Sequence, residues 1–152
     1  MDEAGFALLF FWNNWSFYRK GSKQMKRLKF KKELCIGCQL CSQVCSAYKE
    51  GEVIPSKARI FIETYYDRGD LKYDDSYCIL CGRCKKACPA DAITMGEHIE
   101  VDAEKCVGCG ACADACPKHV VRLRDDVAYI CDTCNGNPHC VVACPHHALT
   151  FE

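Results

Sequence analysis

An α+β fold is expected, with short strands and helices packed around two cysteine-rich modules, one nested inside the other. Three observations carry that expectation. Four cysteine runs share nearly one spacing, short apolar segments alternate with polar residues between the runs, and two similar alternating segments stand at the two ends of the regular part of the chain.

The central runs are the clearest. Cys78, Cys81, Cys84 and Cys88 form a C-x2-C-x2-C-x3-C-P pattern, and Cys106, Cys109, Cys112 and Cys116 repeat it. This is the ligand spacing of a bacterial two-cluster [4Fe–4S] site, in which the fourth cysteine of each run ligates the cluster of the other. Cys78, Cys81, Cys84 and Cys116 are therefore expected to hold one cluster, and Cys106, Cys109, Cys112 and Cys88 a second. The chain has 16 cysteines in 152 residues and a formal net charge of zero. A disulfide scaffold would not repeat C-x2-C-x2-C in this way, and no cleavable secretory signal is evident. A zinc site closes at four ligands and would leave the middle cysteine of each run surplus. Four iron–sulfur clusters use every cysteine. Zero net charge gives no bulk electrostatic reason to expect nucleic acid as a partner. The apolar core is thin, so cluster binding is expected to supply much of the folding free energy.

Residues 1–24 do not match the pattern of the remaining chain and are expected to be an N-terminal extension outside the native chain, with Met25 as the start. The competing reading is an aromatic hook on a partner or a membrane surface. The apolar stretch Gly5–Trp12 is too short to span a bilayer. Arg27–Leu34 alternates, with Leu28 and Phe30 on one face and lysines on the other, and reads as a strand. The first run comes next, as Cys35, Cys38, Cys41 and Cys45. Ser46 replaces the proline that ends the other runs, so the turn after Cys45 is expected to be less fixed. A short helix over Cys45–Gly51 stops at the glycine, and Ala58–Thr64 reads as a strand. Tyr65–Tyr77 is polar and aromatic and is expected to be a surface connection.

After each central run come two short strands and a turn: Ala92–Met95 with Ile99–Val101, then Val120–Leu123 with Val127–Ile130. The last run, Cys131, Cys134, Cys140 and Cys144, carries a looped insert over Asn135–His139. Ala148–Glu152 alternates like the first strand. Pairing of these terminal strands would bring runs one and four together. Cys35, Cys38, Cys41 and Cys144 would then hold one cluster, and Cys131, Cys134, Cys140 and Cys45 another. The alternative pairs run one with two and three with four. Nesting gives two bacterial-ferredoxin-like 2[4Fe–4S] modules: an outer one over 25–64 and 118–152, and an inner one over 65–117. Electrons are expected to cross the inner module and to enter or leave by the outer clusters. No run lacks a cysteine, so no iron has an evident open site, and electron transfer is expected rather than catalysis. No histidine is assigned as a ligand, and no dinucleotide fingerprint is visible.

Cys35–Ile60 and Cys131–Leu149, with the central runs, resemble the four-cluster polyferredoxin subunits of anaerobic oxidoreductases. That broad family includes the iron–sulfur subunits of dimethyl-sulfoxide-reductase-type enzymes. The resemblance implies an electron-transfer subunit with four [4Fe–4S] clusters, paired one with four and two with three. It also implies a cytoplasmic location and a catalytic oxidoreductase partner. The insert between Cys134 and Cys140 and the Glu50–Ile60 segment are most similar to relatives that accompany aldehyde oxidoreductases and carbon monoxide dehydrogenases, and the tungstopterin aldehyde oxidoreductase type is the preferred expectation. Carbon monoxide dehydrogenase, hydrogenase and formate dehydrogenase partners are the alternatives. A flavin- or NAD-binding subunit, or a ferredoxin, would complete the path. A free-standing polyferredoxin is the other class of reading.

Overall fold

The computed structural model describes residues 25–152, and the expectation for residues 1–24 lies outside them. Strand β1 (Leu28–Phe30) pairs antiparallel with the last strand, β8 (Leu149–Phe151), in the register Leu28↔Phe151, Lys29↔Thr150 and Phe30↔Leu149. Backbone bonds from Arg27 to Glu152 and from Lys31 to Ala148, both 2.8 Å, extend the ladder. The pairing expected of the terminal segments is thus present, although the first strand is only three residues long. A 3-10 turn over Lys32–Leu34 comes directly after it. Leu28 and Leu149 are buried from the two ends of the chain, each contributing about 1.5–3 kcal/mol of apolar burial.

Helix α1 (Leu40–Glu50) is longer than expected. It continues through Cys45 and Ser46 and ends at Gly51 in the left-handed conformation. The structure corrects the expectation of a loosely fixed turn at Ser46. A proline there would remove an N–H and clash with the preceding turn; serine lets the helix go on. Ser46 is fully buried. Its hydroxyl donates to the Gln43 carbonyl at 2.9 Å and accepts from the Ile54 N–H at 3.1 Å. Where proline comes after the fourth cysteine, the helices are short: α2 (Arg83–Ala87), α3 (Ala111–Asp114) and α4 (His139–Val142).

The second correction concerns Tyr65–Tyr77. It is not a plain connection but most of a hairpin, β2 (Phe61–Asp67) with β3 (Asp70–Ser76), seven residues a side. Arg68 and Gly69 both have positive φ, 50° and 91°, which suits a tight two-residue hairpin turn. The hairpin straddles the boundary drawn between residues 64 and 65. The two other hairpins match the expected segments, trimmed at their ends: β4 (Ile93–Met95) with β5 (Ile99–Val101), and β6 (Arg122–Arg124) with β7 (Val127–Tyr129). Among the described residues there are four sheets, each of two strands. The core is one buried cluster in which Ile60, Leu80, Ile93, Val120 and Leu149 mix with buried cysteines.

Candidate iron–sulfur centres

The four cysteine runs fold into nearly one backbone shape. The residue before the second cysteine has positive φ in every run: Gly37, Leu80, Gly108 and Thr133. So does the residue after it: Gln39, Gly82, Gly110 and Asn135. The two left-handed residues wrap the loop around the space inside it and turn backbone N–H groups toward sulfur. Gly37 N–H donates to Cys35 Sγ and Leu80 N–H to Cys78 Sγ, both at 3.4 Å. Further N–H···S bonds run from Arg59 to Cys45 (3.3 Å), Ala92 to Cys88 (3.4 Å) and Ala148 to Cys144 (3.2 Å). At Gly108 the conformation is reinforced by packing, since a Cβ would lie 2.9 Å from the Asp126 backbone. Leu80, Thr133, Gln39 and Asn135 adopt a left-handed backbone without being glycine, at a cost of about 1–2 kcal/mol each. The last run extends this into four consecutive left-handed residues, Thr133–Gly136, so its insert is a left-handed turn followed by α4 rather than an open loop.

All sixteen cysteines are free thiols, and they fall into four spatial sets. Cys35, Cys38, Cys41 and Cys144 line one small cavity, with Phe30, Ile62 and Leu149 in its walls. Cys78, Cys81, Cys84 and Cys116 line another, closed by Tyr77, Ile99, Val120 and Ile130. Cys106, Cys109 and Cys112 stand together: burial raises the Cys112 thiol, backbone hydrogen bonds oppose the rise, and the charges of Cys106 and Cys109 add to it. Cys88 ends α2, which packs on α3 carrying Cys112. In the remaining set, Cys45 comes from α1 and Cys131, Cys134 and Cys140 from the last run. Burial pushes Cys140 up to about 12, and the charges of Cys45, Cys134 and Cys41 add to it.

The same electrostatics show how the sets adjoin. Cys41 of the first set acts on Cys140. Burial and then the charge of Cys78 hold Cys131 well above the usual thiol range. Cys84 is raised by burial first and, among the charges, by Cys81, Cys112 and Cys116. The order is therefore a line: the set of Cys35, the set of Cys131, the set of Cys78, the set of Cys106. One end set joins the first run to Cys144 of the last, and the other belongs to the third run. The Cys35, Cys78 and Cys106 sets each present an exposed second cysteine, Cys38, Cys81 and Cys109; in the two end sets it stands beside an exposed apolar residue, Ile36 or Val107. The Cys131 set has no exposed cysteine.

The donors fit [4Fe–4S] clusters. Each set is purely thiol, soft, and supplied with backbone N–H groups that offset thiolate charge. Buried thiols at about 11 (Cys78) or 12 (Cys140) are protonated near neutrality, and metal ligation is what would draw off the proton.

Sequence reasoning missed two contributors. Tyr73 of the unforeseen hairpin donates its hydroxyl to the Cys35 carbonyl at 2.6 Å and packs edge-on to Phe30. Arg59 approaches Cys45 through its backbone and Ile130 through its side chain. The alternation of Tyr73 with Leu71 and the Arg-Gly turn could have revealed the first. No local pattern marks the second.

Residues 31–92 and residues 70–117 each match a 4Fe-4S dicluster domain profile. The first match joins runs one and two in sequence order, whereas in space Cys45 of run one stands with the last run. The chain is similar to NADH-quinone oxidoreductase subunit I of Pelobacter propionicus, at 34% identity over 65 residues, 41% of this chain and 33% of that protein. It is also similar to NADH-quinone oxidoreductase subunit I 2 of Geobacter metallireducens, at 33% over 81 residues, 49% and 54% respectively. The chain thus spans between a third and about half the length of these relatives. Neither name refers to a tungsten enzyme. Among the described residues no helix is long and apolar enough to cross a membrane. The chain carries 4Fe-4S dicluster domains of the iron–sulfur electron-transfer kind.

Proposed function

We propose that the chain is a non-catalytic electron-transfer subunit holding four [4Fe–4S] clusters. The ligands would be Cys35, Cys38, Cys41 and Cys144; Cys131, Cys134, Cys140 and Cys45; Cys78, Cys81, Cys84 and Cys116; and Cys106, Cys109, Cys112 and Cys88. This is the nested arrangement, an outer module from the chain ends around an inner one. The observation that carries it is the unbroken line of thiol sets, which adjoin where α1 packs on α4, where Ile130, next to Cys131, lines the Cys78 cavity, and where α2 packs on α3.

A bound [4Fe–4S] cluster supplies one-electron uptake and release with little reorganisation. The chain does the rest. Its left-handed loops hold N–H groups toward sulfur, which stabilises added negative charge. Ile60, Leu80, Ile93, Val120 and Leu149 keep water out between the sets. Cys38 and Cys109, exposed at opposite ends of the line, leave each end within reach of a redox partner.

The partner is a catalytic subunit of a multi-subunit oxidoreductase at one end, with a flavin- or NAD-binding subunit, or a ferredoxin, at the other. The names of the two relatives favour an NADH-linked complex. The tungstopterin aldehyde oxidoreductase reading rests on the resemblance of the Cys134–Cys140 insert and the Glu50–Ile60 segment alone. A cytoplasmic site fits both. Protein prepared without oxygen should contain about sixteen irons and as many acid-labile sulfides, four of each per cluster. It should also co-purify from its native host with an oxidoreductase subunit. Fewer than about twelve irons would sink the four-cluster reading. A fully loaded monomer with no partner would leave a free ferredoxin instead.

A further inference from the structure

We propose that Arg59 sets the electron affinity of the centre held by Cys45, Cys131, Cys134 and Cys140, holding its potential above what the thiols alone would give. The inference rests on the four-cluster reading above. Arg59 ties together the two distant segments that supply this set. Its backbone N–H donates to Cys45 Sγ at 3.3 Å, and its Nη1 donates to the carbonyl of Ile130, the residue before Cys131, at 3.2 Å. The guanidinium lies 5.2 Å from the centre of the Tyr129 ring. Its Nε is buried and has no hydrogen-bond partner among the described residues. A buried donor without a partner is costly, and the proposal assigns it an acceptor in the adjoining thiol set.

The charge balance points the same way. Two carboxylates approach, and each is matched by another cation. Glu50 lies 3.9 Å from Arg59 but takes a two-pronged contact from Arg124 at 3.0 and 3.2 Å. Asp132 is held by Lys49 at 2.6 Å. Arg59 is the surplus cation. The Cys45 set is also the one without an exposed cysteine, where water screens least. Adding an electron makes a centre one unit more negative, so a fixed neighbouring cation favours the reduced form.

The test is an electron-paramagnetic-resonance redox titration of the whole chain prepared without oxygen, with iron and sulfide assayed in parallel. In Arg59→Leu one couple of the four should move to lower potential. The reduced-to-oxidised ratio at a fixed poise should fall about tenfold, about 59 mV for a one-electron couple. The other three couples should hold, and Arg59→Lys should restore most of the shift. If Arg59→Leu loses iron, Arg59→Gln carries the same expectation, because it keeps an amide donor while losing the charge. Arg122→Leu, on the exposed face of β6, should move nothing. Four unmoved couples in a fully loaded Arg59 variant would overturn the inference, as would a common shift of all four or a shift that lysine does not restore. Wild-type protein with fewer than four clusters would instead overturn the function reading itself.

Discussion

In the nested arrangement proposed above, the inner and outer halves of this molecule solve one problem by different means. In the inner half, runs two and three are neighbours in sequence, their helices are cut short before Cys88-Pro89 and Cys116-Pro117, and the intervening hairpin is only β4–β5. The outer half closes a loop that spans the whole described chain. It needs the β1–β8 pair, an eleven-residue α1 that passes through Ser46, and the ion pairs of Lys49 with Asp132 and Arg124 with Glu50. Ligand spacing alone can organise a local pair of runs. A distant pair needs packing and charge as well, because the entropy of closing the loop must be offset by contacts elsewhere.

The largest effect should come from removing iron, which tests what the halves share. With clusters as the core, chelation or oxidative destruction should unfold both halves. Circular dichroism that stays native-like after iron loss would show that the apolar core suffices. Separating the halves comes next. Leu149→Ala should cost about 2–5 kcal/mol and lower the iron content by about half while the inner sets stay loaded. Ile93→Ala should cost a similar amount but empty the inner sets instead. Iron per chain and thermal unfolding, read together, check both; equal losses from both halves would show that they do not fold independently.

The glycines of the ligand loops sharpen the comparison. At Gly108 in the inner half an added Cβ meets the Asp126 backbone at 2.9 Å, whereas at Gly37 in the outer half it meets the Thr64 side chain, Oγ1 at 2.8 Å. Both positions also carry the left-handed penalty. Gly108→Ala should therefore destabilise more than Gly37→Ala, by about 1–3 kcal/mol against about 1–2, since a side chain can rotate away and a backbone cannot. Denaturant midpoints would show the order.

A smaller effect belongs to the outer half alone. The hydrogen bond from Arg124 holds the Glu50 carboxyl below its usual range against the opposing push of burial, with the charges of Arg124 and Arg59 helping. A depressed folded-state value means stability that is present above the unfolded value, near 4.3, and is lost as pH falls through the lower folded value. Glu50→Gln should lower the melting temperature near neutrality by an amount worth about 1 kcal/mol at most. The gap from wild type should close as pH drops below about 4. A gap that stays constant with pH would assign the effect to packing. The smallest change is Gln39→Gly. Gln39 is exposed with φ 56°, so glycine should relieve strain and raise stability by up to about 1 kcal/mol, visible as a rise in melting temperature without loss of iron.

Much of the site is legible in the residues themselves. Ligand cysteines announce themselves because cluster chemistry dictates their spacing, and β4–β5 and β6–β7 show as alternation around turns. The hairpin β2–β3 was hidden because its aspartates resemble a loop, yet Tyr73 and Leu71 alternate inward and Arg68-Gly69 supplies the turn. The helix through Ser46 was hidden because one absent proline reads as a defect rather than as permission to continue.

By itself, the sequence determined the spacing of the four cysteine runs, the 4Fe-4S dicluster domains they belong to, and the alternation of the two segments that pair as β1 and β8. Only the tertiary structure decided which sets adjoin, and so where the line of thiols begins and ends. It also decided that Arg59 stands against the most enclosed set. Spacing along the chain is a local property, fixed by covalent reach. The order of sets in space and the charges around them depend on contacts between residues far apart in sequence, such as Cys41 with Cys140 and Arg59 with Ile130, which no local pattern encodes.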